Sequence, residues 1–327
     1  MTDEASTNPP KSAQPPLVIA TRASPLAMAQ AYETRDRLVS QAGYALDDLV
    51  IEPIVSRGDK ILDKPLMAIG GKGLFTEEIE QGLLDGRYDL AVHSLKDLPT
   101  KLPEGLIVAA YPEREDPRDV LISNGGGDVL SLPQGARVGT ASIRRAAQLR
   151  RIRPDLNIVS VRGNVQTRLA KLGAGEVDAL MLAAAGLQRL NLDVPGVCPI
   201  PMDQMLPAPG QACLAIECSA SNAPLIETLS ALSCAKATAA VTAERAFLDA
   251  IDGDCRTPVA AHAHFMPSGA LHLQAQVLHP VGTQVFTAEG ESTADDPLAL
   301  GARLADDLRV QAGDDFLAEI KALTKVS

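Results

Sequence analysis

One local pattern occurs twice in this chain, and it constrains the fold more than any other feature. An apolar run at Leu17–Ala20 leads through Ser24 into a helical stretch, and a short strand at Arg137–Thr140 leads through Ser142 into another. Serine is a preferred N-cap residue, so each serine marks the point where a helix begins. The pattern predicts two α/β units, each with a polar corner at the carboxyl end of its first strand.

A second pair of similar segments favours a duplicated unit. In both Gly86–Val92 and Gly175–Met181, a helix ends near glycine and a buried strand starts just after aspartate. The alternative is coincidence between short, ordinary αβ patterns. If the unit is duplicated, the charged stretch Glu113–Asp119 joins two lobes as a hinge. Because ligands of open α/β sheets collect at the carboxyl ends of strands, we expect both serine corners to face the cleft.

Arginine is concentrated in the second of these units. Between Arg137 and Arg168 there are eight arginines, one acid and no lysine, although the formal net charge of the whole chain is −11. Guanidinium groups bind carboxylates and phosphates through two parallel hydrogen bonds. The cluster therefore predicts a cleft for a polyanionic ligand, whereas any single arginine is equally well explained as a solvated surface residue.

Composition and motifs disfavour several classes of function. Aromatic residues make up 3% of the chain, Trp is absent and the net charge is negative, which disfavours a nucleic-acid binder. Gly71-Lys72-Gly73 lacks the spacing of a P-loop, so nucleotide hydrolysis is discarded. No apolar run approaches the roughly 20 residues of a membrane span, and the N-terminus does not resemble a secretory signal. We expect a cytoplasmic protein.

At 327 residues the chain is longer than one hydrophobic core usually supports. A strand at Ala212–Cys218 is expected to return to the first lobe, and an insertion at about Ser56–Gly73 has the glycines and charges of a mobile lid. Later, helices precede strands near Val259–Phe265 and Leu271–Leu278, and terminal helices follow, as is typical of a small α+β domain. The predicted organisation is a disordered tail at 1–16, α/β domain 1 at 17–112 plus 211–222, α/β domain 2 at 113–210, and α+β domain 3 at 223–327.

One polar turn carries a candidate catalytic group. The stretch His93–Pro99 follows the predicted buried strand Asp89–Val92, which places Asp97 at the carboxyl end of that strand. A carboxylate at the floor of an arginine-lined cleft can balance a cation that develops on a substrate, and it can transfer a proton. Considered alone, Lys96 and Asp97 are more readily explained by a surface ion pair, and the arginine-lined context reverses that preference.

The cysteines are five in number and form no CxxC pair, so we expect free thiols. Cys255 lies in a polar turn beside Arg256, which favours the thiolate and covalent attachment of a ligand. The other thiols are expected to be inert: Cys198, Cys213, Cys218 and Cys234. His262 and His264 alternate along a strand and could join Cys255 in a zinc site, but no fourth ligand is evident and we predict no metal.

Seven motifs, in order and at compatible spacing, closely resemble those of the porphobilinogen deaminase family, also called hydroxymethylbilane synthases. The motifs are Ala20–Ala27, Gly70–Phe75, Ala91–Pro99, Glu113–Asp119, Gly139–Arg145, Arg162–Arg168 and Gly253–Pro258. Each motif alone is modest, and the ordered set is highly specific. The arginine cluster agrees with the resemblance, because every pyrrole unit of such a ligand carries acetate and propionate groups.

The resemblance implies an α/β fold of two lobes like those of type II periplasmic binding proteins, a hinge, and a small α+β third domain that carries the cofactor. It implies a transferase that condenses four porphobilinogen molecules head to tail, with release of ammonia, into hydroxymethylbilane. This linear tetrapyrrole belongs to porphyrin, haem and chlorophyll biosynthesis. The resemblance further implies a monomer that uses no metal, nucleic acid or membrane.

The resemblance also implies roles for individual residues. Asp97 matches the catalytic aspartate, and Cys255 matches the cysteine that carries a dipyrromethane cofactor through a thioether. The other cofactor-binding positions are Ser94, Lys96, Thr140, Ser142, Arg144, Arg145, Arg162, Arg168 and Gln211. The substrate-binding positions are Arg22, Ser24, Lys72, Arg162, Arg168 and Arg189. Two departures concern the lid and the backbone near Gln211: Ala68 stands where several relatives have lysine, and Ala212 where many have glycine.

Two alternative functions remain open. A small-molecule binding protein of the same two-lobed design would hold an anion without transforming it, would normally be exported, and would give no role to the thiol of Cys255. A nucleic-acid regulator would show salt-dependent binding to DNA, and its recognition helix is not evident.

Overall fold

The computed structural model describes residues 15–56, 76–253 and 257–326. Nearly all of the predicted tail at 1–16 and of the predicted lid at 56–73 lies outside these residues. The strands are β1 (Leu17–Arg22), β2 (Leu49–Ile54), β3 (Leu90–Ser94), β4 (Leu106–Ala110), β5 (Asp119–Ser123), β6 (Arg137–Gly139), β7 (Asn157–Val159), β8 (Ala179–Ala183), β9 (Val197–Pro199), β10 (Leu214–Ser219), β11 (Val259–Phe265), β12 (Leu271–Leu278) and β13 (Val285–Ser292).

The helices connect these strands and include both helices predicted from the serine corners. They are α1 (Pro25–Ala42), α2 (Glu77–Leu84), α3 (Ile143–Ile152), α4 (Val165–Gly173), α5 (Ala184–Arg189), α6 (Ala223–Ser230), α7 (Ala235–Ala250) and α8 (Pro297–Val326). The backbone of α8 is not helical at Gly313, where φ is +76°, so two helical segments meet there.

Two five-stranded sheets share one topology. The first has the order β2-β1-β3-β10-β4 and the second the order β7-β6-β8-β5-β9. In each, four strands run in the same direction, and one antiparallel strand, which the chain enters on crossing from the other lobe, is inserted between the third and the fourth: β10 in the first sheet, β5 in the second. The strand predicted to return to the first lobe is β10. The repeated order confirms the prediction of two lobes like those of periplasmic binding proteins.

Two aspartates explain why the segments Gly86–Val92 and Gly175–Met181 are similar. The carboxylate of Asp89, just before β3, accepts a hydrogen bond from the backbone N–H of Val18 on β1 at 2.7 Å. In the second sheet, the carboxylate of Asp178 accepts from the backbone N–H of Arg137 on β6, also at 2.7 Å. Each aspartate therefore fixes the start of one parallel strand against its neighbour, which sets the register of that pair.

Each sheet has its own apolar core. Fully buried residues of the first sheet include Ile19, Leu90, Ala91 and Ile216, and those of the second include Leu121, Val138, Leu180 and Met181. Because parallel strands covered on both faces are apolar along their whole length, these strands appear in the sequence as continuous apolar runs.

The third sheet is antiparallel, in the order β11-β12-β13, and packs against α7 and α8. Strands β11 and β12 lie where they were predicted. The sequence analysis missed β13, which has only one buried residue, Ala288, and therefore little apolar alternation. The two helices cross closely at Gly301, where a Cβ atom would lie 2.2 Å from the carbonyl oxygen of Ala243.

A buried carboxylate joins this third unit to both crossovers. Glu244 on α7 accepts hydrogen bonds from Arg114 at 2.6 and 3.1 Å, from the backbone N–H of Gly210 at 2.6 Å and from that of Ala263 at 2.8 Å. Burial by itself raises the pKa of Glu244, but the charge of Arg114 and the contact with His262 outweigh it and lower the pKa to about 2. The carboxylate therefore stays ionised at neutral pH.

Candidate active site

Both predicted serine corners form as expected. The Ser24 hydroxyl caps α1 by accepting a hydrogen bond from the backbone N–H of Ala27 at 3.3 Å. The Ser142 hydroxyl caps α3 by accepting one from the backbone N–H of Arg145 at 3.4 Å. The two corners follow equivalent strands, β1 in the first sheet and β6 in the second, so the positive ends of both helices lie at carboxyl ends of strands.

The first lobe contributes a pocket that includes the proposed catalytic carboxylate. Its lining includes Arg22, Ser24, Gln30, His93, Ser94 and Asp97. Asp97 ends a short 3-10 turn, Leu95–Asp97, which follows β3 directly. The Asp97 side chain is exposed, whereas Leu95 is buried and anchors the turn. Four of the predicted site residues thus share one pocket.

Cations from the second lobe lie within electrostatic reach of this turn. Burial and the charge of Arg145 together lower the pKa of Lys96 to about 8, and Asp97 opposes this shift. Burial also lowers the pKa of Arg168 to about 10, with the charges of Arg145 and Arg162 acting in the same direction. These groups form the cation cluster, which we define as Lys96, Arg145, Arg162 and Arg168.

Arg144 and Arg145 both contact a carboxylate from the same lobe. Arg144 donates to Oδ2 of Asp119 at 2.7 Å and to the carbonyl oxygen of Leu206 at 2.6 Å. Arg145 donates to Oδ1 of Asp119 at 2.8 and 3.0 Å, and to the carbonyl oxygen of Met181 at 3.0 Å. The side chains of all three charged residues are at most 7% exposed. The arginine pair is therefore held in place by an internal ion pair.

Gln211 connects this ion pair to the first lobe. Its amide nitrogen donates to Oδ1 of Asp119 at 2.8 Å and to the carbonyl oxygen of Pro117 at 2.7 Å. Its amide oxygen accepts from Nζ of Lys96 at 3.3 Å. Gln211 is fully buried, and it bridges a residue next to the catalytic turn and the arginine pair of the second lobe.

The remaining predicted residues lie in different settings. Arg189 donates to Glu33 of α1 at 3.0 Å and to the carbonyl oxygen of Ala212 at 3.1 Å, so its guanidinium joins the lobes. The Thr140 hydroxyl is buried and accepts from the backbone N–H of Ser142 at 3.1 Å. Arg162 is half-buried in the turn before α4. Lys72 and Cys255 lie outside the described residues, as does Ala68.

Two of the thiols that were predicted to be inert are deeply buried. Burial raises the pKa of Cys213 to about 12 and that of Cys218 to about 11. Both are therefore thiols rather than thiolates at neutral pH, as expected of structural cysteines. His262 and His264 stack with ring centroids 5.5 Å apart. Within residues 15–56, 76–253 and 257–326, no group of three or more His, Cys, Asp or Glu is arranged to hold a metal.

Two residues of the site were not identified from the sequence. Asp119 was treated only as the end of the charged hinge, although a lone aspartate that opens an apolar strand is a signal for a buried carboxylate. Gln30 is 3% exposed, lines the pocket, and donates to the Ser94 hydroxyl at 2.8 Å. A polar residue within the buried face of helix α1 is the sequence signal that could have identified Gln30.

Comparisons with known proteins agree with the motif resemblance. The profile described as "Porphobilinogen deaminase, dipyromethane cofactor binding domain" matches residues 17–227, and "Porphobilinogen deaminase, C-terminal domain" matches residues 238–309. The porphobilinogen deaminase of Paracoccus denitrificans is 48% identical over 303 residues, covering 93% of this chain and 96% of the relative. That of Roseiflexus is 48% identical over 302 residues, covering 92% and 98%.

Among solved structures, the VFT2 domain of Bordetella pertussis BvgS is similar at 15% identity, with a TM-score of 0.38 and coverage of 67% of this chain and 85% of that domain. In the part of the chain that the structure describes, no helix has both the length and the apolar character required to cross a bilayer. The two matching profiles and the near full-length relatives show that the chain belongs to the porphobilinogen deaminase family.

Proposed function

We propose that the chain is a transferase that condenses four porphobilinogen molecules head to tail, releases ammonia at each addition, and forms hydroxymethylbilane for tetrapyrrole biosynthesis. The observation that carries this proposal is that Asp97 lies within electrostatic range of Lys96 beside it and of Arg168 from the second lobe. A ligand decorated with carboxylates fits such a site, and a carboxylate at its centre suits a reaction that develops positive charge.

The donor set fits a dipyrromethane cofactor. Lys96 and Arg168 have lowered pKa values because burial and repulsion from Arg145 disfavour their charged forms, so positive charge is in excess there. The acetate and propionate groups of two pyrrole rings would relieve this excess. We infer that Lys96, Arg162 and Arg168 would hold these carboxylates, with hydroxyls from Ser94 and Ser142. When bound, the cofactor supplies the pyrrole ring to which substrate units are added.

We propose Cys255 as the attachment point, through a thioether. The raised pKa values of Cys213 and Cys218 support this choice, because a buried neutral thiol is a poor nucleophile. Thr140, Arg144, Arg145 and Gln211 were predicted to contact the cofactor as well. We retain that prediction. Asp119 orients Arg144 and Arg145. Gln211 is oriented by hydrogen bonds with both Asp119 and Lys96.

Asp97 is the proposed catalytic group. Loss of ammonia from porphobilinogen leaves a positive charge on the substrate ring, and the carboxylate of Asp97 would lie close enough to balance that charge. The same carboxylate would accept and return protons during each cycle. The lining of the pocket by Arg22 and Ser24 supports their proposed role in binding substrate carboxylates, together with Arg162 and Arg168.

Four further predictions stay proposals. Lys72 and Arg189 are proposed to bind substrate. The guanidinium of Arg189 also donates hydrogen bonds to Glu33 and to the carbonyl oxygen of Ala212. We also propose the three-domain division at residues 113, 211 and 223, a cytoplasmic location, and a single chain as the active unit.

Intact-mass measurement tests the attachment. We expect the purified protein to carry the added mass of two pyrrole units, the Cys255→Ser variant to lack it, and the Cys218→Ser variant to retain it. A protein of unmodified mass that binds porphobilinogen unchanged would favour the alternative of a two-lobed binding protein. Modification that survives Cys255→Ser would show that another thiol is used.

Substitution of Asp97 tests the chemistry. Asp97→Asn should keep the cofactor but reduce turnover by about 10²–10³-fold, because it removes the charge that balances the developing cation. The measurement is release of ammonia and formation of hydroxymethylbilane by holoprotein of verified mass. Asp85→Asn is the matched control, because Asp85 is an exposed carboxylate outside the pocket that contacts Gln81 at 2.8 Å and Arg87 at 3.4 Å. Near-normal turnover of Asp97→Asn would refute the role.

A further inference from the structure

Asp119 has an unusual set of partners. It is fully buried at the start of β5, and its two oxygens accept four side-chain hydrogen bonds. Two come from Arg145 at 2.8 and 3.0 Å, one from Arg144 at 2.7 Å and one from Gln211 at 2.8 Å. Because the network is buried, water does not compete for these hydrogen bonds. The carboxylate therefore fixes three side chains at once.

Because of its position in the chain, Asp119 connects these hydrogen-bond partners to both segments that cross between the lobes. Asp119 ends the first crossover between the lobes, whereas Gln211 lies in the second crossover, 92 positions later. Through Gln211 the network continues to Nζ of Lys96, the residue next to Asp97. One carboxylate therefore links both crossovers, the arginine pair and the lysine of the catalytic turn.

The charges of the network do not cancel. Two guanidinium groups face one carboxylate, and Lys96 adds a further positive charge nearby. The groups that act on Lys96 come from every surrounding element: Arg144 and Arg145 on α3, Asp97 on its own turn, and Asp119 on β5. Asp97 and Asp119 favour the charged ammonium, and the two arginines oppose it. Removal of Asp119 would tip this balance further against the charged form.

We propose that Asp119 is a positioning residue for the condensation: it holds Arg144, Arg145 and Gln211 in place and keeps Lys96 charged beside the catalytic aspartate. This inference rests on the proposed function, because Lys96 is assigned to a cofactor carboxylate there. Asp119 itself need not touch substrate or cofactor. Its effect is transmitted through the side chains it orients.

The test is the isosteric variant Asp119→Asn, measured as full-length holoenzyme whose cofactor loading is verified by intact mass. A charged Lys96 is required, so activity is lost as the pH rises through the pKa of Lys96. Without the carboxylate that pKa falls, and the alkaline limb of kcat/KM against pH should move to lower pH by about one unit. Competitive acetylation of Lys96, read by peptide mass spectrometry, should show the same fall independently of turnover.

Lys96→Arg provides the control, because a guanidinium does not titrate in this range. Adding Asp119→Asn to the Lys96→Arg protein should leave the alkaline limb where it is. If Asp119→Asn alone lowers stability but moves neither the limb nor the acetylation profile, Asp119 is merely structural and the inference is overturned. If the unsubstituted protein forms no hydroxymethylbilane, the proposed function fails instead, so the two failures are distinguishable.

A second variant covers the case in which Asp119→Asn does not fold. Asp119→Asn combined with Arg144→Met removes one negative and one positive charge, so the cluster keeps the net charge of the natural protein. Replacing both members of a buried pair is usually tolerated far better than removing one. We expect this double variant to keep the alkaline limb of the natural protein within a few tenths of a pH unit. A limb shifted by a full unit despite the restored charge would overturn the inference.

Discussion

The two inserted strands, β5 and β10, occupy the same place in their sheets but neutralise their buried carboxylates differently. Asp119 on β5 is paired with two guanidinium groups, which stay charged at any pH of interest. Glu217 on β10 is equally buried, and its Oε2 lies 2.9 Å from Nε2 of His93, an imidazole that is charged only if protonated. A third buried ionisable group, Glu80, adds to the first lobe.

This difference teaches that two strands in the same place of one topology can carry buried carboxylates with different partners, two guanidinium groups in one lobe and an imidazole in the other. Arginine at the Asp119 site fixes the electrostatics of the second lobe, which is proposed to hold the cofactor. In the first lobe, burial raises the pKa of Glu80, and repulsion from Glu217 acts in the same direction. The first lobe therefore holds a buried carboxyl group with a raised pKa, whereas the second holds a carboxylate paired with permanent cations.

The largest expected effect on stability comes from removing the buried carboxylates of Asp119 and Glu217 in separate variants. Asp119→Ala leaves two buried guanidinium groups without a counter-charge and should lower the free energy of unfolding by about 3–5 kcal/mol. Glu217→Ala should cost about 1–3 kcal/mol, because His93 can become neutral and no permanent charge is stranded. Urea unfolding of both variants at pH 8 measures the difference. Equal losses would remove the distinction between the two pairs.

The pH dependence of Glu80 gives a smaller effect with a definite sign. A folded-state pKa above 4.5 means that the folded protein holds this proton more tightly than the unfolded chain, so stability falls as pH rises above 4.5. Glu80→Gln avoids ionisation and should stabilise the protein at pH 8 on the order of 1 kcal/mol, and by less at pH 5. Unfolding at both pH values measures this, with the exposed Glu104→Gln as the control. A gain that does not grow with pH would contradict it.

The smallest expected effect lies at the entrance to β10. Ala212 has a φ of +72°, in the left-handed region that favours glycine, whereas no residue at the entrance to β5 does. Ala212→Gly should raise the free energy of unfolding by about 1 kcal/mol by removing that strain. Ala215→Gly on the same strand is the control and should destabilise. A loss of stability in Ala212→Gly would show that the methyl group, which is buried, contributes more than the strain.

Much of the fold could be predicted from sequence because its determinants are local. Ser24 and Ser142 cap helices a few residues away, and the aspartates Asp89 and Asp178 mark the starts of strands. Strand β13 was missed because only one of its residues, Ala288, is buried, which leaves little apolar alternation to detect. The Asp119 network was missed because its partners lie 25 to 92 positions away.

The sequence by itself determined the two duplicated sheets, the family and the identity of the candidate groups, because strand period, capping residues and ordered motifs are all written in short segments. Only the tertiary structure decided how those groups are used. It placed Asp97, Arg22 and Ser24 in one pocket, and it placed Arg144 and Arg145 against Asp119. The physical reason is that a buried charge requires a counter-charge, and which one it receives depends on contacts between segments distant in sequence.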